Sequence, residues 1–109
     1  ERVTASIAKG SDYPNNLVRM TVPAGKVWKV RHISSYVSKA HSRMTILVRA
    51  PAPDSDSKYA ILFDATGTRE GIRNALDVNL ELTEGYILET QITGVDSAGA
   101  ITMCVVGTD

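Results

Sequence analysis

The sequence holds one cysteine, one tryptophan, one phenylalanine and four prolines, and it carries no excess of either charge. With Cys104 as the sole thiol, no internal disulfide can form. The fold must therefore rest on a hydrophobic core, which a chain of 109 residues is long enough to build without staples. Cys104 lies in the run Ile101-Thr102-Met103-Cys104-Val105-Val106 and reads there as a small buried hydrophobe. Twelve Lys and Arg are matched by twelve Asp and Glu. That balance argues against the broad electrostatic footprint of a nucleic-acid or anionic-membrane binder, so neither is expected as a partner. No apolar run approaches the roughly 20 residues that carry a helix across a bilayer.

Catalytic and metal-binding patterns are also missing. A transition-metal site draws about three or four ligands from His, Cys and carboxylates. Here the histidines are two, His32 and His41, well separated in sequence and without a His-x-His pair. No Gly-x-Ser-x-Gly elbow positions a nucleophile. Gly67-Thr68-Arg69-Glu70-Gly71 lacks the Lys-Ser/Thr that completes a phosphate loop. Asp77 and Glu81 fall on the polar side of one alternating segment, where solvation accounts for them. We therefore nominate no catalytic, cofactor-binding or metal-ligating residue, and expect a protein that is not an enzyme and needs no cofactor.

What the chain has is period-two alternation. Leu76, Val78, Leu80 and Leu82 alternate with Asp77, Asn79 and Glu81. Met44, Ile46 and Val48 alternate with Arg43, Thr45 and Arg49, with Leu47 as the one lapse. Successive side chains on a strand point to opposite faces, so this pattern marks strands with one buried and one wet face. Further strands are expected over 3–8, 17–22, 26–37, 58–64, 86–93 and 100–106, and a single helical turn around 68–74. The breaks carry turn chemistry: Gly10 to Asn16, Val22-Pro23-Ala24-Gly25 as a type II turn, Pro51 to Ser57, and Asp96-Ser97-Ala98-Gly99. Short strands at this spacing predict one all-β domain over 1–109, a jelly-roll-like antiparallel β-sandwich of about eight strands. Its core is expected to hold Val22, Trp28, Val30, Ile46, Val48, Ile61, Phe63, Leu76, Val78, Leu80, Leu82, Leu88, Ile101 and Met103. The segment from Glu1 to Gly10 alternates Val3, Ala5 and Ile7 with polar residues, and either completes its own sheet or pairs with a neighbouring molecule.

An internal echo supports two related halves. Met20-Thr21-Val22-Pro23-Ala24-Gly25-Lys26-Val27-Trp28 parallels Leu80-Glu81-Leu82-Thr83-Glu84-Gly85-Tyr86-Ile87-Leu88, each a strand, a corner ending in Gly, and a second strand. Lys26, Lys29, Arg31 and Lys39 form the most basic stretch, with Trp28 and Tyr36 interleaved. Such mixtures bind single-stranded nucleic acid. The alternation instead assigns Trp28 to the core and the cations to the wet face.

The segment Thr21-Val22-Pro23-Ala24-Gly25-Lys26-Val27-Trp28-Lys29-Val30, the later Asn79 to Ile87 corner, and the last strand closing on Gly107 form a pattern over most of the chain. It resembles small β-sandwich virion proteins of tailed bacteriophages, which include capsid decoration (cement) proteins and head- or tail-fibre modules. The resemblance implies a structural role at the virion surface: a homo-oligomer, with a trimer as the first expectation, that binds and stabilises the major capsid protein shell. The alternative is a carbohydrate- or receptor-binding module of a fibre or secreted protein. Such modules expose aromatic platforms. Of Tyr13, Trp28, Tyr36, Tyr59, Phe63 and Tyr86, only Tyr13, in a polar loop, is expected at the surface.

Overall fold

The structure, a computed structural model, describes residues 2–10, 17–38, 42–66, 72–93 and 101–108, with the backbone alone for 2–10 and 72. Among the described residues eight strands form in the order expected: β1 (Arg2–Gly10), β2 (Leu17–Thr21), β3 (Trp28–Val37), β4 (Arg43–Arg49), β5 (Tyr59–Thr66), β6 (Ile72–Leu82), β7 (Ile87–Thr93) and β8 (Ile101–Thr108). They make two antiparallel sheets ordered β1-β8-β3-β6 and β2-β7-β4-β5. The chain changes sheet at every connection except β4 to β5, which is the path of a jelly roll. A short 3-10 turn, Asp54–Asp56, lies in the β4–β5 connection. Of the turn expected around 68–74, residues 72–74 belong to β6, and the remainder lies outside the described residues. The segment from Arg2 to Gly10 completes its own sheet, pairing antiparallel with β8.

The core lies between the sheets. Val18, Val22, Trp28, Val30, Ile33, Val37, Met44, Ile46, Leu82, Leu88, Ile92, Ile101, Met103 and Val105 are buried in one cluster. A polar bond crosses it: Ser35 Oγ of one sheet and Thr90 Oγ1 of the other lie 2.8 Å apart. Thr90 Oγ1 also donates to Met103 Sδ. Both hydroxyls are buried and have partners, so the pair ties the layers together without leaving an unsatisfied group.

Several expectations about the core need correction. Ile61 is not in it: half of its surface is exposed. A register shift between Ile46 and Leu47 on the β4–β5 ladder sets Phe63 opposite Ile46 but Ile61 opposite Leu47. Leu62 is the extra residue, and one inserted residue moves everything beyond it to the other face. Val48, Phe63, Leu76, Val78 and Leu80 are half-buried rather than buried, packing against the cluster. All but Val48 stand on the sheet edges β5 and β6, where a neighbour covers one side only. A second shift, between Val30 and His32, changes the phase of β3. It brings Ile33, Ser35 and Val37 inward after Trp28 and Val30 and turns His32 outward. Cys104, between the inward Met103 and Val105, faces outward and is half-buried rather than part of the core.

The two echoed corners meet. Val22 N donates to Tyr86 O at 2.9 Å, and Gly85 N donates to Val22 O at 3.0 Å. Gly25 N donates to the Glu84 carboxylate at 3.1 Å. The first turn runs one residue later than the sequence predicts: Lys26 N bonds Pro23 O, placing Gly25 third with φ of 76°. Gly85 takes the matching place in the second turn with φ of 86°. Positive φ at the third position defines a type II turn and favours glycine. At Gly85 there is a second reason, since a β-carbon would stand 2.9 Å from Cβ of Pro51.

Candidate functional site

The outer face of the β2-β7-β4-β5 sheet carries an open groove bordered by charged and aromatic side chains. The ladders fix its rows: Arg19, Glu89, Leu47 and Ile61 lie across the four strands. The flanking rows are Ile87, Arg49 and Tyr59 on one side and Gln91, Thr45 and Asp64 on the other. Thr93 and Arg43 close the far end. Together they shape an open groove of about 420 Å³, lined by Arg43, Thr45, Leu47, Arg49, Asp56, Tyr59, Ile61, Gln91 and Thr93. Leu47, the one break in the alternation of β4, forms part of its floor, and its surface is only 1% exposed although it faces away from the core.

Beneath one end of the groove sits Glu89, a carboxylate with no solvent exposure. Arg49 grips it with both prongs, Nε to Oε1 at 3.0 Å and Nη2 to Oε2 at 3.1 Å. Arg19 Nε donates to Oε1, and Gln91 Nε2 donates to Oε2 at 2.9 Å. Burial pushes the Glu89 carboxyl up, but the bonds from Arg49 and Arg19, with their charges, outweigh it and hold it below its ordinary value. Arg49 spends its remaining prong on the β4–β5 connection, Nη1 donating to Ser55 O at 2.9 Å. The fixed guanidinium lies under Tyr59, 5.3 Å from the ring centroid. Tyr59 is 54% exposed and forms the rim of the groove. The sequence expects Tyr13 alone to be exposed among the aromatics; Tyr59 is exposed as well, and Tyr13 lies outside the described residues.

At the other end Arg43 holds Asp64 bidentately, Nε to Oδ1 at 2.7 Å and Nη2 to Oδ2 at 2.6 Å. Thr45 Oγ1 adds a long bond to Oδ1 at 3.4 Å. The bonds from Arg43 lower the Asp64 carboxyl from its ordinary value, and the same bonds raise the guanidinium.

The remaining candidates do not converge on this face. His32 Nδ1 lies 2.9 Å from Asp77 on the other sheet, and His41 lies outside the described residues. Among the described residues no group of three His, Cys, Asp or Glu has the spacing of a metal site. Trp28 is buried, with Lys29 and Arg31 exposed beside it, so the ring is not available to stack a base. Lys39 and the Gly67–Gly71 segment fall outside the described residues. A smaller groove of about 160 Å³ on the β1-β8-β3-β6 sheet is lined by Ser34, Tyr36, Arg73, Thr102 and Cys104, among others.

No family model matches the sequence, and no curated protein matches it. Solved structures of similar shape exist. A carbohydrate-binding module of family 29 aligns with TM-score 0.51 and 16% identity, over 95% of this chain and 68% of that one. PirA aligns with TM-score 0.49 and 13% identity over 96% and 95% of the two chains. A family 32 carbohydrate-binding module from C. perfringens NanJ, in complex with galactose, aligns with TM-score 0.47 and 12% identity over 93% of each. At these identities the likeness concerns the fold alone.

Proposed function

We propose that this domain is a non-catalytic saccharide-recognition module and that the groove over β4, β5 and β7 is its binding face. The observation that carries the reading is the Tyr59 ring, exposed at the rim and backed by an Arg49 guanidinium that Glu89 and Ser55 fix in place. A pyranose presents a C–H face that packs on an aromatic ring and a periphery of hydroxyls that need donors and acceptors. Tyr59 and Ile61 offer the first, and Thr45, Gln91 and Thr93 offer the second. A few placed polar groups over an apolar floor are what small-ligand sites use. Because the platform is held before any ligand arrives, little ordering cost falls on binding. The fold it shares with the family 29 module hosts such a role in that protein, which is an analogy of scaffold and not of site.

A second reading is the capsid decoration protein implied by the sequence resemblance, an oligomer mounted on the major capsid protein at the virion surface. The edge strand β5 favours it, since Tyr59 and Ile61 stand there about half exposed, and exposed apolar edges are where partner chains dock. The two readings separate in paired experiments. A glycan array should give saturable binding that Tyr59→Ala removes while the melting temperature is kept. Added to capsids lacking a decoration protein, the domain should not raise their disruption temperature. Stable occupancy of symmetry-related capsid positions, with no glycan bound, would reverse the assignment.

A further inference from the structure

We infer that the groove selects an uncharged saccharide over an acidic one, and that Asp64 sets this preference. The inference rests on the saccharide reading of the groove and adds the ligand's charge class to it. Among the described residues three guanidinium groups stand on this face, Arg19, Arg43 and Arg49, and each is already bonded to a carboxylate. Arg49 and Arg19 share the buried Glu89; Arg49 is only 13% exposed, and Arg19, though 41% exposed, does not line the groove. Arg43 differs. Its partner Asp64 is at the surface, with side chains 49% and 35% exposed for the two residues. Arg43 is therefore the one guanidinium in the groove wall that an anionic ligand group would address.

Asp64 blocks that approach in two ways. It occupies the Nε–Nη2 edge of the fork with both oxygens, one of the two edges at which a sugar carboxylate could bind in two-point fashion. It also places a negative charge next to any incoming carboxylate, which discriminates by repulsion rather than by a better contact elsewhere. A neutral sugar meets neither obstacle, because its hydroxyls can use Thr45, Gln91 and Thr93. Removing the charge at position 64 while keeping the side-chain shape should convert the groove to one that accepts acidic sugars.

The experiment compares the wild type, Asp64→Asn and the double variant Asp64→Asn/Arg43→Gln on an array of neutral oligosaccharides (cello-, manno- and galacto-oligomers) and oligogalacturonates, with melting curves as a fold control. The wild type is expected to bind uncharged oligomers only, with little change between low and high salt. Asp64→Asn should gain oligogalacturonate binding by about tenfold, a gain that salt suppresses, since it comes from a freed surface charge. Arg43→Gln in that background should remove the gain. The inference is overturned if the wild type binds oligogalacturonates as well as neutral oligomers, or if Asp64→Asn leaves the ratio between the two unchanged. If none of the three folded proteins binds any saccharide, the saccharide reading itself fails and the inference falls with it. That outcome is distinct from an unchanged ratio.

Discussion

Replacing Glu89 by Gln tests whether the groove is held by the buried ion cluster. The substitution keeps the size of the side chain but removes the charge that two guanidinium groups share, and it turns an amide N–H toward one of them. Breaking a buried pair from one side costs roughly 3–5 kcal/mol, because the remaining charge stays in a poorly solvated place. Here Glu89 is fully buried and Arg49 is 13% exposed, but Arg19 is 41% exposed and recovers water. The cost should therefore fall near the lower limit, about 3 kcal/mol. For a domain of this length that corresponds to a fall in Tm of about 12 °C. The acid limb should change as well. The native carboxyl titrates below its ordinary value of 4.5, so its contribution is fully present above that pH and is lost as the pH falls through the lower native value. Differential scanning calorimetry of both proteins between pH 3 and 7 measures the two effects together; Glu89→Gln should melt lower at neutral pH and lose less on acidification. A variant melting within about 2 °C of the wild type, a shift of under about 0.5 kcal/mol, with an unchanged acid limb would refute the reasoning.

Two further outcomes follow from the packing. Leu88→Ala empties a fully buried position in the core cluster and should cost about 2–5 kcal/mol in chemical denaturation, several times the cost of the same change at exposed Ile61. Gly85→Ala should destabilise more than Gly25→Ala: both glycines have positive φ, but at Gly85 the new methyl also meets Pro51, while at Gly25 nothing lies within 4 Å. Urea midpoints of the two variants decide it.

Much of the sandwich was legible in the sequence because alternation and turn chemistry are local. The strands of the jelly roll follow from apolar residues two apart, and the paired corners at Gly25 and Gly85 follow from their repeated pattern. The site was not legible, for a physical reason. Each bulge shifts the phase of a strand, and a phase shift is set by the partner strand rather than by the strand's own sequence. On β5 the shift carries Ile61 out of the core and aligns it with Leu47 at the groove. On β3 it turns His32 outward. One signal was available: Leu47, an apolar residue at a position where β4 should be polar, is the floor of the groove. Glu89 gave none, since nothing local distinguishes a carboxylate that two distant arginines will cover.

The central claim, that the outer face of the β2-β7-β4-β5 sheet is a saccharide-binding face, is tested most directly by titrating the labelled domain with a neutral oligosaccharide and following backbone amide shifts by NMR. Saturable changes confined to Thr45, Leu47, Arg49, Tyr59, Ile61 and Gln91, and absent in Tyr59→Ala, are expected. Changes centred instead on Tyr36, Arg73 and Cys104 of the opposite sheet, or none with any neutral oligosaccharide at millimolar concentration, would contradict it.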